Sequence, residues 1–439
     1  MQLLHIYGLA LVCCLMGTVV QAADRAQARA TADGQPLYNP AMELDAESAD
    51  INVANPALSG WINEVLLQNP ELQAAEAAVD AASGRLRAAD QPLFNPELEF
   101  EYENSDTTTT AGGLNQAVDW ADKRGARTAV ADFEQAAANA ELQSMRQALA
   151  TDLLQSLADW HTADAISRIS QKQTTLMTRF ARLAEQRHQA GDLGQVELDL
   201  AHLAAADAAF EQAQASENLI RARQAVIALT GAGGPAWPPF AGPLPDVDPQ
   251  RVDADRLLSD LPLMHVVLAR ISAARAGVEL SVREKKPDPT FGFRIGKEGS
   301  DTLTGLTFSV PLFVRNTFSA EVDVANASLI QTEREAASFR RQAHADLIAA
   351  AAIYQNARLV WNAWEASGAP RLSQRTDLLD RLWQSGELNT TDYLVQLKQA
   401  LDTEASAIDQ RGRVWQAWAT WLAASGQADE WLNLTEDTQ

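Results

Sequence analysis

From Arg124 to Gln189 the chain runs without a proline, and Gly125 near its start is the only glycine. Ala, Leu, Gln, Glu and Arg fill the tract, and all are strong helix formers. At 1.5 Å per residue, one helix over this span is roughly 100 Å long. No single globular domain can bury such a helix. Its apolar stripe includes Leu142, Met145, Leu149, Leu153 and Leu157, with Ala138, Ala148 and Ala150 around it. That stripe has to be covered by neighbouring helices in an elongated bundle. Small residues allow close packing but bury little area apiece, which favours a wall built from several copies.

The tract belongs to a tandem repeat. Asn69-Pro70-Glu71-Leu72 opens a helix-like stretch that ends at Phe94-Asn95-Pro96, and Leu261-Pro262-Leu263 opens another that ends at Pro287-Asp288-Pro289. Val118-Asp119-Trp120 is answered by Val310-Pro311-Leu312-Phe313, and Ala190-Gly191-Asp192-Leu193 by Ser385-Gly386-Glu387-Leu388. Landmarks in one order at nearly one spacing mark a duplication. Each half reads as a helix, two strands around a polar turn, a very long helical tract, a Gly-centred turn and a return helix. The second long tract, Thr317 to Gln384, is interrupted at Gly368-Ala369-Pro370, where a kink or a junction of stacked helices is expected.

The strand segments alternate. Leu98, Phe100 and Tyr102 share one face, while Glu97, Glu99, Glu101 and Glu103 share the other. Phe291, Phe293 and Ile295, then Leu306, Phe308 and Val310, repeat the scheme. In a bilayer this is apolar-out and polar-in. Alternation alone fits a soluble sheet with a solvated acidic face equally well. Four strands cannot close a barrel, and an open edge in lipid leaves backbone groups unpaired, so a membrane reading requires several chains to share one barrel.

Residues 1–22 read as a signal peptide: an apolar run from Tyr7 to Val20, then Gln21-Ala22, with cleavage expected after Ala22. Its n-region lacks Lys and Arg and has only His5. Both cysteines, Cys13 and Cys14, lie inside it, so disulfides and thiolate chemistry are not expected in the mature chain. Val12 and Cys13 are poor residues to precede a lipidated cysteine. The mature sequence offers no run of about 18 apolar residues, which argues against a helical membrane span. A net charge of -23 argues against nucleic acid or an anionic membrane surface as a partner of a basic patch. His161, His188, His202, His265 and His344 are scattered without metal-ligand spacing, and no nucleophile motif or phosphate loop is present. No catalytic residue, cofactor or bound metal is expected.

Taken together, the signal peptide, the duplication, the Asn-Pro-x-Leu segments, the Val-Pro-Leu-Phe strand exit and the Gly-centred turns resemble the TolC-type outer-membrane efflux proteins, over residues 57 to about 425. The resemblance is nearest to the heavy-metal branch, whose inner-membrane pump is of the resistance-nodulation-division type. It implies a mainly α fold with a small membrane β part: a homotrimer with four strands per chain in a 12-stranded β-barrel, continued by a long α-helical barrel in the periplasm. It further implies a passive exit duct in the outer membrane, with a periplasmic adaptor (membrane fusion) protein and the pump as partners. Drug efflux and type I secretion remain open as the system served. A soluble periplasmic coiled-coil adaptor is the competing class, although an adaptor is expected to carry a lipoyl-like domain between its helical arms.

The expected domains are a signal peptide at 1–22, a poorly ordered segment at 23–56, a first repeat at 57–230, a Pro/Gly-rich connector at 231–250, a second repeat at 251–425 and an acidic tail at 426–439, poorly ordered after Gln427. Copied three times, Glu97, Glu99, Glu101 and Glu103 would line the barrel lumen and favour cations. Gly191 and Gly386 suit the positive φ that ends a long helix, and Asp192 and Glu387 can favour the start of the next. By resemblance, Gly191, Leu193, Gly386 and Leu388 sit at the adaptor-docking tips. Glu197 and Asp392, six residues after each glycine, sit at the periplasmic aperture. Trp415, Trp418 and Trp421, at helical spacing, are read as packing residues.

Overall fold

The computed structural model describes residues 53–231, 233, 237–240, 244–385 and 387–434. The signal peptide, most of the segment expected at 23–56, and Gly386 lie outside the described residues. The first half comprises α1 (Pro56–Gln68), α2 (Pro70–Ala89), β1 (Glu97–Asn104), β2 (Thr108–Ala117), α3 (Lys123–Gln189) and α4 (Gln195–Thr230). The second comprises α5 (Ala254–Asp260), α6 (Pro262–Glu284), β3 (Thr290–Glu298), β4 (Asp301–Ser309), α7 (Ser319–Ala363), α8 (Ala369–Gln384) and α9 (Thr390–Ser425), followed by the short α10 (Ala428–Leu432). Pro70 and Pro262 occupy the first turns of α2 and α6, where a missing N–H leaves no helical bond unmade. Asn69 caps α2 through Glu71 N–H (2.8 Å) and donates to the Leu229 carbonyl at the end of α4 (3.1 Å), tying the two ends of the first repeat together.

The long tract is a single helix of 67 residues. Along its length α3 packs against α2, α4, α6 and α9. Leu149, Leu153, Leu154 and Leu157 are buried in these contacts, whereas Met145, expected in the same stripe, is exposed. Among the described residues no single helix is long and apolar enough to cross a membrane.

The second long tract breaks where the sequence places its glycine and proline. Trp364–Gly368 form one π-helical turn between α7 and α8, closed by Ala369 N–H donating to the Trp364 carbonyl. Pro370 has no N–H to offer and its ring crowds the preceding turn, so the ladder widens by one residue ahead of it. A side chain at Gly368 would lie 2.1 Å from Trp364 Cε3, so the indole occupies the space that only glycine leaves open.

The four strands form one antiparallel sheet in the order β1-β2-β3-β4. Its register sets Leu98, Leu114, Phe293 and Leu306 in one row and Glu99, Gly113, Arg294 and Gly305 in the next. The apolar face is bare in the isolated chain: Leu98 and Leu306 are each 86% exposed, and Phe100, Ile295 and Phe308 are exposed as well. β1 and β4 each have one edge without a strand partner.

Where the sheet meets the helices, Lys123 Nζ pairs with Asp288 at 2.8 Å, both side chains only 13% exposed, and Arg283 binds the Asp122 carbonyl (2.7 Å) and carboxylate (2.5 Å). Asp122 and Phe318 precede α3 and α7 with positive φ, 55° and 52°, so both repeats turn from strand to helix through the same unusual backbone.

Far from the sheet in sequence, the aromatic residues form a packed belt. Trp415, Trp418 and Trp421 are buried, with Phe240 stacked on Trp415 at 4.4 Å and Trp418 against Tyr354 at 5.0 Å. Trp237 and Phe240 of the connector are buried here, and Tyr354 Oη donates to the Pro245 carbonyl (2.7 Å). Burial raises the Tyr354 phenol above its ordinary range. The acidic tail departs from expectation as far as Leu434: Ala428, Trp431, Leu432 and Leu434 are buried, and Ala54 N–H donates to the Trp431 carbonyl (2.9 Å). Burial of Trp431, Leu432 and Leu434 outweighs the charge that suggested disorder.

Candidate lumen wall and helical tips

Two regions carry the sequence-selected residues. In the sheet, Glu97, Glu99, Glu101 and Glu103 share the polar face, opposite the bare apolar one. They are not equivalent. Glu99 accepts a hydrogen bond from Asn115 Nδ2 (2.9 Å), and Glu101 pairs with Arg294 Nη1 (3.2 Å). Glu97 and Glu103 have no side-chain partner among the described residues. Apart from Leu303, the rest of this face is small or polar, with Gly113, Gly292, Gly296 and Gly305 among the cross-strand neighbours.

At the first tip α3 ends in a paired closure: Gly191 N–H donates to the His188 carbonyl (3.0 Å) and Asp192 N–H to the Arg187 carbonyl (2.9 Å), with Gly191 at φ 82°. That geometry is the Schellman motif, and its left-handed residue favours glycine. The second tip makes the corresponding closure from Glu387 N–H to the Leu382 carbonyl (3.0 Å), around the undescribed Gly386. The helix starts are set by Gly194 and Asn389, not by Asp192 and Glu387.

Leu193 and Leu388 converge from the two turns onto one apolar core, formed by Met177, Phe180 and Ala184 of α3, Leu198 and Ala201 of α4, Leu379 of α8, and Tyr393 and Leu397 of α9. They are therefore half-buried pins of the tip rather than its outer surface. Glu197 and Asp392 both occupy the third position of their helices. The Asp392 carboxylate receives Asn389 Nδ2 (2.6 Å) while Asn389 Oδ1 receives the Asp392 N–H (2.8 Å), a reciprocal cap. Glu197 folds back toward Gly194 and lines a cleft of about 160 Å³ with Met177, Leu200, Ala204, Val395 and Lys398; Asp392 is not among its lining residues. Across this region Lys398 of α9 binds Asp207 and, at 3.6 Å, Glu211, both on α4. The Asp207 carboxylate raises the Lys398 pKa, so the link stays charged. Among the described residues no group of His, Cys, Asp and Glu is placed to hold a metal ion.

Residues 61–232 match the family described as outer membrane efflux protein. Over that span, about two fifths of the chain, it resembles the outer membrane efflux proteins. It is similar to the cobalt-zinc-cadmium resistance protein CzcC of Cupriavidus metallidurans, 27% identical over 274 residues, which cover 60% of this chain and 65% of that protein. It is also similar to the nickel-cobalt-cadmium resistance protein NccC of Alcaligenes xylosoxydans xylosoxydans, 25% identical over 302 residues, covering 64% and 68%. The CmeC outer membrane channel of Campylobacter jejuni shares the fold, with a TM-score of 0.73 at 14% identity over 86% of this chain and 89% of that one.

The sequence reading missed two features of note. One is Arg294, although the alternation of Phe291, Phe293 and Ile295 already placed it on the acidic face. The other is the outer surface of α4 at the tip, where Val196 is 73% exposed and Leu200 and Leu203 are exposed too, beside Val395 of α9. Apolar residues at 196, 200 and 203 alternate with the buried Leu198 and Ala201, so α4 is apolar on two faces, a signal readable from helical spacing.

Proposed function

We propose that this chain is the outer-membrane channel subunit of a tripartite efflux system: a passive exit duct without catalytic chemistry, acting with a periplasmic adaptor and an inner-membrane pump of the resistance-nodulation-division type, and exporting heavy-metal cations. The observation that carries this reading is the sheet. Its apolar face is bare, both edges lack partners, and it continues into a helix of roughly 100 Å. In lipid such a sheet is stable only when copies close it into a barrel, with three chains giving twelve strands. Relatives named for cobalt, zinc, cadmium and nickel resistance support metal cations as the cargo.

Within this duct we assign Glu97, Glu99, Glu101 and Glu103 to the barrel lumen and Glu197 and Asp392 to the periplasmic aperture. Gly191, Leu193, Gly386 and Leu388 are assigned to the tips that receive the adaptor. The apolar cleft between α3, α4 and α9, lined in part by Val395 and flanked in sequence by the exposed Val196 and Leu203, offers the contact area, and Leu193 and Leu388 hold the turns in place. The two repeats at 57–230 and 251–425 are the structural units of the duct.

Cell fractionation of the native host tests the assembly: the protein should be recovered with the outer membrane as a heat-modifiable oligomer, and recovery in the soluble periplasm would overturn the reading. Deletion of its gene should lower tolerance to cobalt, zinc or cadmium. Unchanged metal tolerance with increased drug accumulation would move the cargo to the drug branch.

A further inference from the structure

The polar face of the sheet carries six carboxylates, Glu97, Glu99, Glu101, Glu103, Glu298 and Asp301, and a single cation, Arg294. Lys297 falls on the opposite face by the same register. Arg294 is set into this wall in a particular way. Both of its register partners, Gly113 on β2 and Gly305 on β4, lack side chains. A Cβ at Gly305 would stand 3.2 Å from Arg294 Nε, and one at Gly113 would stand 3.2 Å from Arg294 Cβ. The arginine stem thus fills space that side chains at 113 and 305 would take, and its Nη1 meets Glu101 Oε2, two strands away, at 3.2 Å.

We propose that Arg294 is a charge-selectivity residue of the lumen, an inference that rests on the channel reading above. Carboxylates alone would concentrate cations strongly, and a wall that binds a cation too well also slows its release. Arg294 contributes one fixed positive charge per copy at mid-wall, which offsets the Glu101 carboxylate it pairs with, so the cation preference is held below what the glutamates would give. The glycines at 113 and 305 admit the guanidinium without adding bulk to the wall.

The two partners make the idea decidable, because Arg294→Gln and Glu101→Gln break the same ion pair but change the charge in opposite directions. Reversal potentials of the purified oligomer in planar bilayers, under a potassium chloride gradient at low ionic strength, read the permeability ratio directly. Arg294→Gln should raise the cation-to-anion ratio about two-fold and Glu101→Gln should lower it by a similar factor. Arg294→Lys should stay near the unmodified protein. Shifts of both glutamine variants in the same direction would mean that the pair only braces the wall, and would overturn the proposal, as would no shift in a conducting channel. If Arg294→Gln does not assemble, Glu101→Gln decides alone: a fall supports the proposal, and a rise or no change overturns it. Absence of conduction in every preparation, the unmodified protein included, would overturn the channel reading and this inference with it.

Discussion

Asp392 serves two purposes that a substitution can separate. It completes the cap of α9 with Asn389, and it places a carboxylate at the proposed aperture. Asn389→Ala removes the cap and should cost about 1 kcal/mol locally, with little change in leak. Asp392→Asn keeps a side-chain acceptor near the cap but removes the charge, and should raise leak conductance and antibiotic entry. Equal leak from both variants would assign the residue to capping alone. Spacing from the tip glycine picked out Asp392 and Glu197 correctly as equivalent positions, since both stand third in their helices. What spacing could not give was the company they keep. Glu197 shares a cleft with Lys398, two hundred residues away in sequence, and only the packing of α4 beside α9 brings them together. Leu193 and Leu388 show the same limit: a leucine beside a turn glycine can face a partner or a core, and burial decides.

Among the elements, the 67-residue helix and the three alternating strand segments of β1, β3 and β4 were legible because each rests on a local rule, helix periodicity or period-two alternation. β2 was harder to read, since Thr-Thr-Thr-Ala-Gly-Gly-Leu-Asn-Gln-Ala has no clean alternation and is held in place by ladders on both sides. The tail was misjudged because its charge is local while its burial against the aromatic belt is tertiary. The break between α7 and α8 was visible in Gly368 and Pro370, but its form depends on Trp364 folding over the glycine. Gly368→Ala should therefore cost about 1–3 kcal/mol through overpacking. Trp364→Ala/Gly368→Ala should lose less than the sum of the single changes in thermal melts of the purified oligomer, because the two positions share one contact. Additive losses would show that the indole is not what restricts position 368.

At the scale of the proposed duct, adjacent residues of one strand would face different solvents. Leu306, on the bare apolar face, and Thr307, on the polar face, are neighbours in β4. Leu306→Lys should cost about 2–4 kcal/mol near the bilayer midplane and deplete the heat-modifiable oligomer in the outer membrane, whereas Thr307→Lys should leave it abundant. Comparable depletion by both would contradict a lipid-facing Leu306. The strand order has a consequence for symmetry. The sheet runs β1-β2-β3-β4, so one edge belongs to the first repeat and the other to the second. When copies join edge to edge, every boundary between subunits brings unlike repeats together, just as the β2–β3 boundary does inside each chain. Followed around the ring, repeat follows repeat in strict alternation, and the breaks between polypeptides fall at every second step. Three chains then compose a ring with approximate sixfold order, and the addition or loss of a subunit changes its circumference only by whole pairs of repeats.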